Sequence, residues 1–275
     1  MAIRIRFRRK KLPRIAVLRI DGIIEEGDED SLPRRVSAAL EDVEHVKAKA
    51  LIMRVNSPGG TVGATQEVYD ALCKFRAKSK MPVVASMGDV AASGGIYVAM
   101  AAERVLANAG TVTGSIGVII RSRNLSQLFS KVGVQAEVVK SGEFKDTPAY
   151  YRSLTEAERG MLQEMINDSY EQFVEIIMRG RNLSPEKVRQ FADGRVMTGR
   201  QALAWGLVDE LGGFDRAVEV AKQMAHITVE PELVEVGRVK PKLWERLTRR
   251  FINGFGMHEI SPRLDGIPLY LMPRF

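Results

Sequence analysis

The stretch "PVVASMGDVAASGGIYVAMAAE", residues 82–103, decides how the chain is read. It opens as a short β-branched, apolar run and passes through glycine. It then continues as small residues at helical spacing, so a strand turns directly into a helix at "ASGG", residues 92–95. Ser93 is the one hydroxyl at that elbow. A serine there has two readings: an N-cap whose oxygen accepts a backbone N–H, or a nucleophile at the mouth of a helix. Local sequence does not choose between them.

Working outward, "RIAVLRIDGII", "AKALIMRVNSPGG", "GSIGVII" and "QAEVVKSGEF" are further β-branched runs closed by Gly, Asp or Pro, with amphipathic stretches between them. This alternation predicts an α/β domain with helices packed on sheets. Near residue 155 the pattern changes. "LTEAERGMLQEMINDSYEQFVEIIMRGR" carries a capping box at Thr155 and Glu158 and apolar residues at Leu162, Met165, Ile166, Phe173, Ile176 and Ile177. It predicts a long helix, too long for a simple crossover. Shorter helices follow, punctuated at Pro185, Gly194, Gly206 and Gly213, and form a helical cap.

With 275 residues, 45% of them hydrophobic, the chain can bury a substantial core. Its net charge of +7 resides in "MAIRIRFRRKKLPR", where seven basic residues meet no acid. This arm reads as a solvated terminus or edge strand, or as a contact for anionic lipid; nucleic acid is disfavoured. No run approaches the roughly 18 apolar residues of a spanning helix, and Arg19 and Asp21 interrupt any signal-peptide core. The expectation is a cytoplasmic protein with peripheral membrane contact through the arm or the tail. Cys73 has no cysteine partner within the chain. The organisation expected is an arm over 1–13, a domain over 14–225 and a terminal segment over 226–275. The domain divides into a sheet core over 14–150 and a helical part over 151–225. The terminal segment holds a strand, a basic amphipathic helix around residues 244–251 and an apolar end.

The glycines of "NSPGGTVG", residues 56–63, follow an apolar strand and could aim N–H donors at a peptide or a developing oxyanion, or simply make a turn. Phosphate is disfavoured, because neither GxGxxG nor a following GK[ST] is present. Ser93 as nucleophile would need a base. The three histidines, His45, His226 and His258, leave residues 46–225 without one. Lysine is the alternative, provided its side chain is desolvated, since a lysine base must fall from about 10.4 to near 7. Lys145, in "VVKSGEFKDTPAY", is best placed, with Lys140 as a competitor. Asp146 is expected to face away from Lys145. "SPEK" at 184–187 mimics a catalytic S-x-x-K, but Ser184 before Pro185 reads as an N-cap.

Taken together, "RIDGII", "LIMRVNSPGG", "ASGGIYVAMAAERVLANAGTVTGSIGV", "VVKSGEFKDTPAY" and "GRVMTGRQALAWGLVDELGG" resemble, in order, the signal peptide peptidase A family of Ser-Lys proteases in the ClpP/crotonase superfamily. The resemblance covers about residues 14–225. It implies a ClpP/crotonase-like fold of repeated β-β-α units and a ring-shaped homo-oligomer. It implies Ser93 as nucleophile, Lys145 as general base and Ser115 as the hydroxyl orienting the lysine, with amides of Gly59, Gly60 and Gly94 forming the oxyanion hole. No metal or cofactor is implied. Substrates would be hydrophobic or unfolded polypeptides such as signal-peptide remnants. A crotonase-like acyl-CoA enzyme and a non-catalytic membrane-associated scaffold are the alternatives.

Overall fold

A computed structural model describes residues 12–27, 31–237 and 269–271. The basic arm before residue 12 and the expected helix around 244–251 lie outside the described residues.

The chain runs β1 (Arg14–Asp21), α1 (Leu32–His45), β2 (Ala50–Ser57), β3 (Gly59–Thr61), α2 (Val62–Ser79), β4 (Val83–Ala92), α3 (Gly94–Ala99), β5 (Arg104–Ala107) and β6 (Val112–Gly114). There follow α4 (Ser126–Lys131), α5 (Glu156–Arg181), α6 (Pro185–Arg189), β7 (Val196–Thr198), α7 (Gly199–Trp205), β8 (Glu210–Leu211), α8 (Phe214–Met224), β9 (Glu232–Val236) and β10 (Leu269–Leu271).

The main sheet is ordered β7-β6-β4-β2-β1-β9 and is parallel except where β6 meets β7. Its central strands are apolar nearly throughout because both faces are covered. Ala16, Leu18, Leu51, Met53 and Val55 face the main core; Ile15, Ala50 and Ile52 face the opposite side, against Ala217, Val218, Val220 and Ala221 of α8. Adjacent residues go to opposite faces, as the pleat requires. The sheet extends past residue 225, because β9 adds to the free edge of β1.

β4 changes partners along its length. Val84–Ser86 pair with β5, whereas Val90–Ala92 pair with β6. A register shift between Val55 and Ser57 accompanies this divergence. The turn carrying Ser93 follows directly on the end of β4.

α5 begins as expected. The Thr155 hydroxyl accepts from the Glu158 amide, and Glu158 accepts in return from the Thr155 amide at 2.8 Å. Ser184 accepts from the Lys187 amide as an ordinary N-cap, which removes the S-x-x-K decoy.

Two strand expectations are corrected. Residues 135–144, "QAEVVKSGEF", form no strand: they lie exposed, Val139 fully so, with no neighbouring strand among the described residues to complete a ladder. β-branched composition alone does not make a strand when nothing pairs with it. The run "GSIGVII" contributes only Gly114 to β6 and, at Ile119, a single bridge to Leu269.

Candidate active site

Ser93 stands between β4 and α3 with φ 53° and ψ −119°. For a residue with a Cβ this is a sparsely populated conformation, costing on the order of 1–3 kcal/mol. Its hydroxyl makes no cap bond, so the N-cap reading fails. The side chain is only 1% exposed, and among the described residues Oγ has no hydrogen-bond partner. Strain and an unpaired buried hydroxyl in one residue are unfavourable for stability alone.

Ser115 is placed beside it by the sheet. Ala92 is in register with Gly114, so Ser93 and Ser115 leave adjacent strands side by side. The Ser93 amide donates to the Gly114 carbonyl at 2.8 Å. Ser115 also has a positive φ, 51°, and its amide donates to the Arg195 carbonyl at 2.7 Å. It lines a cavity of about 430 Å³ with Ile119, Ile166 and Tyr170.

The glycine strand crosses in front of the serine. A Cβ on Gly94 would stand 3.1 Å from the Gly60 nitrogen, and one on Gly59 would stand 2.7 Å from the Gly94 nitrogen. These approaches need glycine, and Gly59 additionally has φ 107°. The Gly59 amide is already committed to Ser57 Oγ at 3.1 Å, leaving Gly60 and Gly94 as the donors that converge. Thr65, which no motif singled out, brings a buried and unpartnered hydroxyl against Gly94; a Cβ there would meet it at 2.8 Å.

A strand-shaped slot lies along this wall. The Thr61 amide donates to the Ile24 carbonyl and the Ile24 amide to the Gly59 carbonyl, so both main-chain groups of Gly60 face the other way. That edge holds β10, antiparallel to β3 with Tyr270 opposite Gly60. On its far side Leu269 exchanges main-chain bonds of 3.0 and 3.2 Å with Ile119. An extended tripeptide therefore lies between two edges, the binding mode of strand addition.

Among the described residues Lys145 makes no hydrogen bond to Ser93 within one copy. It is exposed, and among the described residues its amine has no hydrogen bond or ion pair. Lys140 is excluded as the free amine, because it binds the Glu143 carbonyl at 2.7 Å and Asp146 at 2.8 Å. Asp146 does turn elsewhere: its carboxylate accepts from Lys140, from Tyr151 at 2.6 Å and from Arg152 at 2.8 Å. Arg152 also grips Glu158 with bonds of 2.6 and 2.8 Å, tying the lysine loop to the first turn of α5.

The Lys140 ion pair, with help from Tyr151 and Arg152, holds the Asp146 carboxyl well below the usual carboxylate range. Arg152 and then Thr147 do the same for Glu158. Carboxylates depressed in the folded state contribute stability that is fully present above about pH 4 and is lost as pH falls toward their folded values. Amide hydrogen exchange in residues 140–158 should therefore accelerate selectively below about pH 4, before the main sheet opens.

The matching of the family model for peptidase family S49 to residues 75–228 decides the affiliation. The chain belongs to peptidase family S49. The Clp protease model matches residues 23–114 of this S49 protein. A Synechocystis relative, named provisionally as a protease, is 46% identical over 90% of this chain and 84% of its own length. The chloroplastic serine protease SPPA of Arabidopsis thaliana is 38% identical over 73% of the chain, which spans only 30% of that protein. Protease 4 of Salmonella typhi is 36% identical over 78% of the chain and 35% of its own length. A ClpP1 variant from Listeria monocytogenes superposes with a TM-score of 0.50 at 19% identity, over 74% of this chain and 94% of that one, which establishes the fold. The ClpP-like α/β architecture expected from the sequence is thus present, and protease function of the S49 family is the coarse assignment. Among the described residues no helix is long and apolar enough to cross a membrane, and no cluster of metal-ligating side chains occurs.

Proposed function

We propose that this S49 protein is a serine endopeptidase that cleaves extended, hydrophobic or unfolded polypeptides, signal-peptide remnants among them, with Ser93 as nucleophile and Lys145 as general base. The observation that carries the reading is the Ser93 hydroxyl: buried, unpartnered and held on a strained turn beside the Gly60 and Gly94 amides. A slot already occupied by a β-strand favours a polypeptide over a thioester substrate.

The Lys145 amine accepts the Ser93 proton while Oγ bonds to the substrate carbonyl carbon. The Gly60 and Gly94 amides receive the negative charge that develops on the carbonyl oxygen. The C–N bond then breaks, and the lysine proton passes to the leaving amine. Water, deprotonated in the same manner, releases the acyl group and restores Ser93. Ser115, beside Ser93 on the neighbouring strand, orients the lysine amine.

Because Lys145 is exposed and makes no hydrogen bond to the serine in one copy, among the described residues, this dyad is completed by assembly into a homo-oligomeric ring with the sites facing a common chamber. Digestion of a reduced, unfolded protein by size-separated fractions tests this. Activity should be confined to the assembled species; equal specific activity in the monomer would contradict it.

A further inference from the structure

Lys145 projects an exposed side chain from an anchored backbone. Its amide donates to the Gly142 carbonyl at 3.2 Å, and the Thr147 amide donates to the Phe144 carbonyl at 3.1 Å, so the lysine sits within two overlapping turns. Asp146 and Thr147, which follow it, are half-buried, and Ala149 is buried.

Arg152 makes the anchorage. Its Nε and Nη2 donate to the two Asp146 carboxylate oxygens at 3.2 and 2.8 Å, and its Nη1 and Nη2 donate to the two Glu158 oxygens at 2.8 and 2.6 Å. The fifth N–H reaches the Ser153 carbonyl at 3.1 Å. One planar guanidinium thus forks onto two carboxylates at once, a geometry that an ammonium cannot reproduce. Glu158 is buried in the first turn of α5 and also accepts from Thr147 Oγ1 at 2.5 Å and from the Thr155 amide at 2.8 Å. The two residues after Lys145 are therefore both tied to one carboxylate on a 26-residue helix, Thr147 directly and Asp146 through Arg152.

The position of this clamp says more than that a loop is stapled. A lysine acting as a base must bring the end of a long, flexible stem to one hydroxyl, and a displacement of about 1 Å can cost on the order of a hundredfold in rate. The carboxylate adjacent to the lysine in sequence is also a trap for its amine. Both of its oxygens are engaged, Oδ1 by Lys140 and Arg152, Oδ2 by Tyr151 and Arg152.

We propose that Arg152 is a positioning residue for Lys145. By clamping Asp146 to Glu158 it fixes the turn from which the lysine reaches Ser93, and it occupies the neighbouring carboxylate that would otherwise capture the lysine amine. This rests on Lys145 acting as the base and adds the residue through which that base is aimed.

The test is a double-mutant cycle on the assembled full-length chain, read as the rate at which a fluorophosphonate modifies Ser93, with kcat and KM for one unfolded substrate measured alongside. Arg152→Gln should slow labelling and lower kcat by on the order of ten- to a hundredfold with KM changed less than about twofold, because the partners of Arg152 lie in the loop and α5 and not along the cleft. In a Lys145→Ala background the same substitution should have no further effect on labelling, since a residue acting through the lysine has nothing left to aim. Arg152→Lys keeps a cation beside the buried Glu158 and so guards against misfolding of the glutamine variant. It should lose rate severalfold and be equally silent without Lys145.

A loss that persists undiminished in the Lys145→Ala background would show a merely structural role and overturn the proposal. A slow Lys145→Ala beside an unimpaired Arg152→Gln would sink this inference alone. Wild-type labelling and cleavage by Lys145→Ala itself would sink the general-base reading, and the aiming role of Arg152 with it.

Discussion

Ser93→Ala should reduce proteolysis of an unfolded protein by on the order of 10³-fold or more while leaving the folded chain intact. The two halves of this expectation come from the same geometry. Among the described residues Oγ has no hydrogen-bond partner, so its removal breaks no bond there and relieves one buried polar atom. Alanine inherits the same φ of 53°, so the strain of the elbow is unchanged. The melting temperature should correspond to a stability change within about 1 kcal/mol. A variant that melts like the wild type and digests substrate at the wild-type rate would remove Ser93 from the chemistry.

Lys145→Ala should be nearly as damaging, by about 10² to 10⁴-fold, the usual contribution of a positioned general base. Its fold should also survive, because among the described residues the Lys145 amine makes no hydrogen bond or ion pair. The loop is held instead by Asp146, Arg152 and Glu158, which the substitution leaves in place. Lys145→Arg should not rescue, since a guanidinium keeps its proton and cannot serve as a base. Lys140→Ala supplies the contrast: it breaks the ion pair with Asp146 and should loosen the loop without abolishing cleavage. Activity measured across the three variants with one unfolded substrate reads this directly; Lys145→Arg at wild-type rate would exclude a proton-accepting role.

Much of this site was legible in the chain because its parts are local. The strand-to-helix elbow at 92–95 and the glycine pair at 59 and 60 are written in neighbouring residues, as is the capping box at Thr155 and Glu158. Each is a short-range rule that the fold obeys. The absence of histidine from residues 46–225 also points to lysine as the base from the sequence alone.

What escaped the sequence is long-range. Pairing of β10 with β3 joins segments about two hundred residues apart, and nothing in "LYL" announces a glycine strand as its partner. The aromatic cluster around Tyr270 assembles Tyr69, Tyr97 and Phe173 from three helices whose apolar periodicity predicts burial but not a shared cluster. Thr65 sits on a buried helix face where a hydroxyl resembles any satisfied polar residue; only the coordinates show it unpaired beside Gly94. In "QAEVVKSGEF", residues 135–144, the local rule misleads, because β-branched composition predicts a strand where, among the described residues, no edge lies beside it.

The measurement that bears most directly on Ser93 as the nucleophile is covalent labelling of the assembled protein with a fluorophosphonate, followed by mass spectrometry of the peptide spanning 82–103. One adduct on Ser93 is expected, formed far more slowly in Lys145→Ala. Labelling of a different residue, or Ser93 left unmodified while the reagent abolishes proteolysis, would contradict it.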